Sequence, residues 1–217
     1  RLCRDWSSDV CSSDLIGGFI PGRTFERAQE LGERLAEAVV TAWPKIETTA
    51  TRSLDVVSIP WEPKYRKDLP SPDEARRRIA ELEQQIKQPG AEQIIARARI
   101  DLVYHQIMLQ HAKLIRNAKT GTQRTEIQGI RLGETAVVTL PAEVFVQIGL
   151  GIKERSPFPL TLVAGYTNDA LGYIPTYEAL LAGGYESIST KFAAGTDEEL
   201  ADKALECLRQ LRERAGE

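Results

Sequence analysis

The stretch Thr125-Glu-Ile-Gln-Gly-Ile-Arg-Leu-Gly-Glu-Thr-Ala-Val-Val-Thr-Leu-Pro-Ala-Glu143 decides the fold. Two β-prone runs, Thr125–Leu132 and Thr135–Leu140, flank Gly133-Glu134, a two-residue connection typical of a β-hairpin. The pattern that follows, Val144–Glu154, predicts a helix. The sequence therefore predicts a hairpin whose second strand leads directly into a helix, with the glutamate of the Pro-Ala-Glu turn at the head of that helix.

Upstream of this hairpin, caps and apolar spacing predict two further elements. Thr24 can cap a helix that runs to about Ala42, with apolar side chains along one side. Ser53–Trp61 is predicted to be a strand, which Pro60 and Pro63 would stop.

A pair of helices is predicted between that strand and the hairpin. Ser71-Pro-Asp-Glu74 combines a serine cap, a first-turn proline and a glutamate that can complete a capping box. The first helix should run to about Lys87, and the second from Ala91 to about Lys119. We therefore expect a helical hairpin inserted between strands.

The C-terminal part completes the secondary structure. Leu160–Ala164 is a short apolar strand, and Thr196-Asp-Glu-Glu199 is a second capping box that opens a final helix. The mixture of strands and helices predicts an α/β fold, a mixed sheet flanked by helices. The apolar stripe of the final helix comprises Leu200, Ala204, Leu208, Leu211 and Ala215.

The first fifteen residues look unlike everything after them. Arg4-Asp-Trp-Ser-Ser-Asp-Val-Cys-Ser-Ser-Asp-Leu15 has no helical or strand periodicity and resembles a translated sequencing adapter. We therefore treat residues 1–15 as non-native and expect the native polypeptide to begin near Ile16. That exclusion removes Cys3 and Cys11, so no disulfide framework can be formed and cysteine usage indicates no compartment.

Charge and hydropathy argue against nucleic-acid binding and against a transmembrane segment. With 28 Lys and Arg against 31 Asp and Glu, the chain is mildly acidic and shows no general case for nucleic-acid binding. No apolar run approaches the ~20 residues of a transmembrane helix. The arginines between Arg76 and Arg99 alternate with acidic residues, which favours a solvated helix face over an anion site. Cys207 lies beside the stripe of the final helix, so we expect a buried structural thiol.

Two tyrosine-bearing segments follow the short apolar strand. Asn168-Asp-Ala-Leu-Gly-Tyr-Ile-Pro-Thr-Tyr-Glu178 and Gly183-Gly-Tyr-Glu-Ser187 place Tyr173 and Tyr185 in glycine- and proline-rich loops. Together with Glu143, they offer a carboxylate and phenols at strand ends, which suits a hydrolytic metal site.

Each of these residues also has a structural interpretation. Glu143 alone would be an ordinary first-turn glutamate favoured by the helix dipole. Tyr173 alone would be a loop aromatic packed on a strand, and Tyr185 would cover a sheet edge. Asn168 is expected to hold its loop through bonds from its side chain to the backbone. Tyr166 and Tyr177 are expected to be packing residues.

Taken together, these motifs resemble the neutral/alkaline non-lysosomal ceramidase family in its short bacterial form. The resemblance is most specific over residues 125 to 215. It implies that residues 16–217 are the C-terminal portion of a catalytic domain that hydrolyses the amide of N-acyl sphingoid bases with one Zn²⁺. The segments that carry it are Thr139-Leu-Pro-Ala-Glu143-Val-Phe-Val-Gln-Ile-Gly149, Lys153-Glu-Arg-Ser-Pro-Phe-Pro159, Ala164-Gly-Tyr-Thr-Asn168, Gly172-Tyr-Ile-Pro-Thr-Tyr-Glu178 and Gly184-Tyr-Glu-Ser187.

The resemblance also implies roles for individual residues. The family holds zinc with two histidines, a glutamate and a tyrosine, and the last two match Glu143 and Tyr173. A second family tyrosine, which stabilises the tetrahedral intermediate, matches Tyr185. The family's histidine ligands and active-site serine lie upstream of the matched part. His105 and His111 are six residues apart, about 240° around a helix, so we expect neither to bind the metal.

Several expectations follow for the chain as a whole. It should be inactive as it stands and bind zinc poorly, since two ligands cannot close a zinc site. Its full-length parent would act on a ceramide-like or other acyl-amide substrate, with possible peripheral membrane contact; the resemblance makes a secreted or periplasmic location reasonable without assigning one. The alternative is a non-catalytic helical interaction module built on residues 71–119.

Overall fold

The computed structural model describes residues 24–48, 50 and 53–214. The adapter-like residues 1–15 and the expected native start near Ile16 lie outside the described residues. The helices are α1 (Phe25–Ala42), α2 (Pro72–Lys87), α3 (Glu92–Asn117), α4 (Val146–Arg155), α5 (Tyr177–Ala182), α6 (Tyr185–Ser189) and α7 (Thr196–Arg214), and Trp43–Lys45 forms a 3₁₀ turn. The strands are β1 (Leu54–Trp61), β2 (Thr125–Leu132), β3 (Thr135–Thr139), β4 (Glu143–Val144), β5 (Leu160–Ala164) and β6 (Tyr173–Ile174).

A mixed four-stranded sheet in the order β1-β2-β3-β5 organises the molecule. β1, β2 and β3 pair antiparallel, and β5 joins β3 in parallel. The hairpin predicted around Gly133-Glu134 is present, and so is the helical pair between β1 and β2. The predicted α/β fold with a mixed sheet is therefore confirmed.

One face of the sheet packs against α7. Alternate residues of β1 (Val57, Ile59 and Trp61) are buried on this face, as their period of two requires. Gly129 on β2 allows α7 to come close, because a Cβ there would lie 2.7 Å from Leu211 Cδ1. The buried residues of α7 include the predicted stripe Leu200, Ala204, Leu208 and Leu211, while Ala215 lies outside the described residues.

Cys207 is wholly buried at the same contact. A Cβ on Gly129 would lie 2.9 Å from its Sγ. Its thiol approaches the Val57 carbonyl oxygen at 3.5 Å. The predicted buried structural thiol is confirmed.

Three predicted boundaries were wrong. Pro60 does not stop the first strand but lies within β1, which is tolerated because β1 is an edge strand of the sheet. The second helix of the pair spans Glu92–Asn117 rather than Ala91 to Lys119. The helix predicted from Val144 begins at Val146, because Glu143 and Val144 pair as β4 with another segment.

The N-termini of α2 and α7 are stabilised in different ways. At α2, the predicted capping box is complete, with Ser71 and Glu74 each accepting from the other's backbone N–H. At α7, Thr196 is already helical and its hydroxyl donates to the Ala193 carbonyl. The neighbouring Asp197 instead accepts from the Tyr177 N–H at 2.9 Å, which ties the start of α7 to the start of α5.

Membrane crossing finds no support in the helices. Among the described residues, no helix combines the length and the hydropathy that a span requires.

Candidate functional site

Glu143 and Tyr173 are direct partners in a two-stranded parallel ladder. β4 pairs with β6 in the register Glu143↔Tyr173 and Val144↔Ile174. Partners in register project from the same face of a ladder, so the carboxylate and the phenol emerge side by side. Both residues are partly buried. Thirty positions of sequence separate them, yet the fold makes them neighbours.

Crossed backbone hydrogen bonds build this ladder beyond the ends of β3 and β5. Because those strands are parallel, their carboxyl ends meet at one edge of the sheet. Backbone carbonyls that follow β3 accept hydrogen bonds from N–H groups that follow β5. The Tyr166 N–H donates to the Ala142 carbonyl at 3.1 Å, and the Leu171 N–H donates to the Pro141 carbonyl at 2.9 Å. In return, the Glu143 N–H donates to the Gly172 carbonyl at 3.0 Å. The backbone at Glu143 is thus fixed by its own bond and by the bonds of the two residues before it.

Tyr185 joins the pair through its ring. Its centroid lies 5.8 Å from that of Tyr173 at an interplanar angle of 80°, an edge-to-face contact. The prediction that Tyr185 lies in a loop was wrong, because Tyr185 is the first residue of α6. The N-cap of α6, Gly184, has φ 115°, a value that residues with a side chain rarely adopt. Tyr185 as a whole is 45% exposed.

α6 is anchored from two directions. The Ser187 hydroxyl donates to the Ala179 carbonyl of α5 at 2.7 Å. The Arg66 guanidinium donates to the Ser187 and Thr190 carbonyls at 2.9 and 3.3 Å, at the C-terminal end of α6. A cation there also complements the helix dipole. These bonds set the position from which Tyr185 meets Tyr173.

The connection before β6 contains two residues with left-handed backbone. Tyr166 has φ 52° and Asn168 has φ 72°, and neither is glycine. The expectation that Asn168 bonds to backbone was wrong, because its Nδ2 donates to Gln128 Oε1 on β2 at 2.9 Å. The expectation that Tyr166 and Tyr177 are packing residues was also wrong, since they are 56% and 47% exposed.

His105 and His111 both lie on α3, which is not part of the Glu143–Tyr173 ladder. His105 Nδ1 lies 2.7 Å from the Asp101 carbonyl oxygen on its own helix. His111 Nδ1 is buried without a hydrogen-bond partner. Burial lowers the pKa of His111, and the nearby cations Lys191 and Arg66 lower it further. Each of these effects favours the neutral form of the His111 imidazole.

The donor types at Glu143 and Tyr173 suit zinc, but their number does not close a site. Carboxylate oxygen is an ordinary zinc ligand, and a dication lowers the pKa of a phenol enough for it to bind. Structural and catalytic zinc sites need three or four protein ligands. Within residues 24–48, 50 and 53–214, no three His, Cys, Asp or Glu side chains are grouped closely enough to hold a metal ion. Two donors alone therefore do not make a zinc site.

Two cavities lie elsewhere on the molecule. One of about 10 Å³ is enclosed by Ile174, Phe192 and their neighbours, and it is too small for a substrate. The other, a groove of about 290 Å³, lies between α2 and α3 and is lined by Leu82, Ala98 and polar side chains. Neither is lined by Glu143, Tyr173 or Tyr185. These three residues form a surface-facing cluster outside both cavities.

Comparison with known proteins supports a ceramidase-like fold. No protein-family model matches the sequence, and no curated protein matches it significantly. Among solved structures, the neutral ceramidase from Pseudomonas aeruginosa superposes with a TM-score of 0.52 at 19% identity, over 91% of this chain and 34% of that one. A structure described as "Ceramidase complexed with C2" matches with a TM-score of 0.40 and 26% identity, over 42% of this chain and 15% of that one. The chain therefore spans about a third of the length of the neutral ceramidase whose fold it shares.

Proposed function

We propose that this chain carries part of the active site of a zinc-dependent amidohydrolase that cleaves the amide of N-acyl sphingoid bases or related acyl amides. The observation that carries the proposal is the Glu143↔Tyr173 register, with the Tyr185 ring against that of Tyr173. A structural core has no need to gather a carboxylate and two phenols where two parallel strands end. The ceramidase-like fold adds support, since it is shared over 91% of the chain.

The three residues would divide the chemistry between them. Glu143 and Tyr173 would hold the zinc through a carboxylate and a phenolate oxygen, with further ligands from outside the described residues. The metal, when bound, would polarise the amide carbonyl and make a hydroxide-like nucleophile available near neutral pH. Tyr185 would donate its phenol proton in a hydrogen bond to the oxygen on which negative charge develops, a contribution on the order of 3 kcal/mol to transition-state stabilisation.

Zinc titration of the full chain tests the metal assignment. Phenolate has a distinct ultraviolet absorbance, so zinc binding by Tyr173 should produce a saturable phenolate difference signal at mildly alkaline pH. Tyr173→Phe should abolish the signal and Glu143→Gln should weaken it strongly, because each removes one of two donors. Tyr185→Phe should leave it intact.

Tyr166→Phe is the matched control, since Tyr166 is an exposed tyrosine on the segment that leads to Tyr173. Its signal should equal that of the unaltered chain. A signal that survives in Tyr173→Phe, or that is absent in the unaltered chain at every zinc concentration, would contradict the proposal.

The helical interaction module remains the alternative function. The predicted hairpin exists as α2 and α3, which pack against each other. However, α3 also packs against α6, the helix that begins with Tyr185. The hairpin therefore supports one wall of the tyrosine cluster, and this contact favours the hydrolase.

A further inference from the structure

The direction in which α6 points is not fixed by its own backbone. The helix has only 5 residues, Tyr185–Ser189, too few to be stable alone in water. It follows Gly183 and Gly184, which have φ 78° and 115°, and glycine restricts the path of the chain less than any other residue. The orientation of Tyr185, the first residue of α6, therefore depends on tertiary contacts.

Arg66 supplies such contacts at the other end of α6. Its Nη1 donates to the Ser187 carbonyl at 2.9 Å and to the Thr190 carbonyl at 3.3 Å. The carbonyls of a last helical turn lack partners within the helix, so the guanidinium satisfies groups that would otherwise be unpaired. The Thr190 N–H also donates to the Glu186 carbonyl at 3.0 Å. Arg66 is thus bonded to the same short turn that begins with Tyr185.

Asp68 holds the remaining nitrogens of this guanidinium. Arg66 Nε donates to Asp68 Oδ1 and Arg66 Nη2 donates to Asp68 Oδ2, both at 2.7 Å. These bonds lower the pKa of Asp68, so its carboxylate stays ionised at neutral pH. Only 15% of the Arg66 side chain is exposed. A two-oxygen contact fixes the plane of a guanidinium as well as its position, so Nη1 stays directed at the carbonyls of α6.

The backbone of Arg66 is held independently of its side chain. The Arg66 N–H donates to the Lys191 carbonyl at 3.0 Å. The preceding residue, Tyr65, pairs with Phe192 in an antiparallel bridge, and their buried rings stack with centroids 6.0 Å apart. A change of the Arg66 side chain should therefore leave this segment in place and release the end of α6.

We infer that Arg66 is a positioning residue for Tyr185, because its guanidinium holds the end of α6 and so keeps the Tyr185 ring edge-to-face against that of Tyr173. The chemical consequence of this role rests on the proposed function, since Tyr185 can donate to a developing oxyanion only from a fixed place beside the metal ligands. The contact between the two rings does not involve zinc, so it can be measured without the metal.

Aromatic NMR of the zinc-free full chain measures the position of Tyr185. In an edge-to-face contact, the protons of one ring lie over the face of the other, where the ring current shifts their resonances. Tyr173→Leu and Tyr185→Leu assign the two rings and give the resonance position of each without the other. Arg66→Met should move the shifted resonances most of the way to that position. Circular dichroism should show a retained fold, because α6 keeps its packing on α3 and the Ser187 hydroxyl bond to α5.

Arg76→Met is the matched control, since Arg76 pairs with Asp73 on the exposed first turn of α2. It should leave the tyrosine resonances in place. Arg66→Lys should lose part of the ring-current shift, because one ammonium cannot keep both Asp68 oxygens and the carbonyls of α6. A folded Arg66→Met chain that is less stable but keeps the full shift would show a merely stabilising role and overturn the inference. If Arg66→Met does not fold, a full shift in Arg66→Lys overturns it instead.

Zinc titration separates this role from the proposed function. Arg66→Met should keep the phenolate signal of Tyr173, as is expected of Tyr185→Phe, because Arg66 is bonded to the helix of Tyr185. A chain that gives no phenolate signal, yet loses the ring-current shift in Arg66→Met, would refute the zinc site and support the positioning of Tyr185 by Arg66. A phenolate signal that is present in the unaltered chain and lost in Arg66→Met would mean that Arg66 acts on the metal donors, which would overturn the inference.

Discussion

Cys207 shows what burial does to a single titratable side chain. Burial raises the pKa of its thiol to about 12, with a further increase from Glu206 and a small opposing effect from Arg214. The thiol therefore stays protonated at neutral pH and is a poor nucleophile. Its function is to fill the contact between α7 and β2, beside Gly129.

The raised pKa of Cys207 predicts a loss of stability at alkaline pH. Below pH 9 the thiol is protonated in the folded and the unfolded chain, and its effect on stability is constant. Between about pH 9 and 12 the unfolded chain gives up its proton first, so the free energy of unfolding falls by on the order of 1 kcal/mol per pH unit. Urea unfolding at pH 8 and pH 10 should show a steeper decline for the unaltered chain than for Cys207→Ala. Parallel declines would contradict the assignment.

Asn168 carries left-handed backbone in the connection that leads to Tyr173. Replacement with alanine should destabilise the fold by about 1–2 kcal/mol, because alanine adopts the left-handed backbone at φ 72° less readily than asparagine and the bond to Gln128 is lost. Asn168→Gly loses the same bond without that strain, so it should be about 1 kcal/mol more stable than Asn168→Ala. Denaturant midpoints compare the two, and equal midpoints would show that the backbone is not strained.

At the scale of elements, the absence of a side chain at Gly129 allows α7 to pack close to the sheet. Gly129 on β2 faces α7, with Leu211 and Cys207 next to the position that its Cβ would take. Helix packing on a sheet tolerates little added volume at such a point, since interiors are close-packed.

Gly129→Ala should therefore destabilise the fold by about 1–3 kcal/mol. Its added methyl group would lie 2.7 Å from Leu211 Cδ1, so α7 or the Leu211 side chain must move. Gly151→Ala on α4 is the control, because no atom lies within 4 Å of a Cβ there and alanine favours a helix. Thermal unfolding should place the Gly151→Ala midpoint at or above that of the unaltered chain. An unchanged midpoint for Gly129→Ala would show that α7 packs less closely than described.

At the scale of the whole molecule, the described residues place Glu143 beside Tyr173 and leave apolar side chains of α1 and of the sheet exposed. Glu143 and Tyr173 are adjacent, whereas His105 and His111 lie on α3. No residue of α1 is buried, and Leu54, Val56 and Leu160 on the edge strands of the sheet are exposed. The matched neutral ceramidase is about three times as long as the part that aligns with this chain.

Calorimetry checks the zinc affinity that two donors allow. The chain should show no tight stoichiometric zinc binding, because closed sites draw on three or four protein ligands. The heat of any weak binding should be reduced in Glu143→Gln. Tight one-to-one binding by the unaltered chain would mean that other donors complete the site.

The sequence by itself determined most of the secondary structure. Capping and apolar spacing act over a few residues, so they located α1, α2 and the β2–β3 hairpin to within one residue. They also identified the stripe of α7 as far as the described residues extend. The sequence also singled out Glu143, Tyr173 and Tyr185, although their proposed roles stay predictions.

Only the tertiary structure decided what is adjacent to what. Two-residue strands such as β4 and β6 have no periodicity to detect, and they exist because parallel β3 and β5 release their chains at the same edge. That pairing moved the start of α4 to Val146 and set Glu143 beside Tyr173. The uncovered state of α1 was equally unpredictable, since an apolar stripe reveals that a helix must pack but not which surface will cover it.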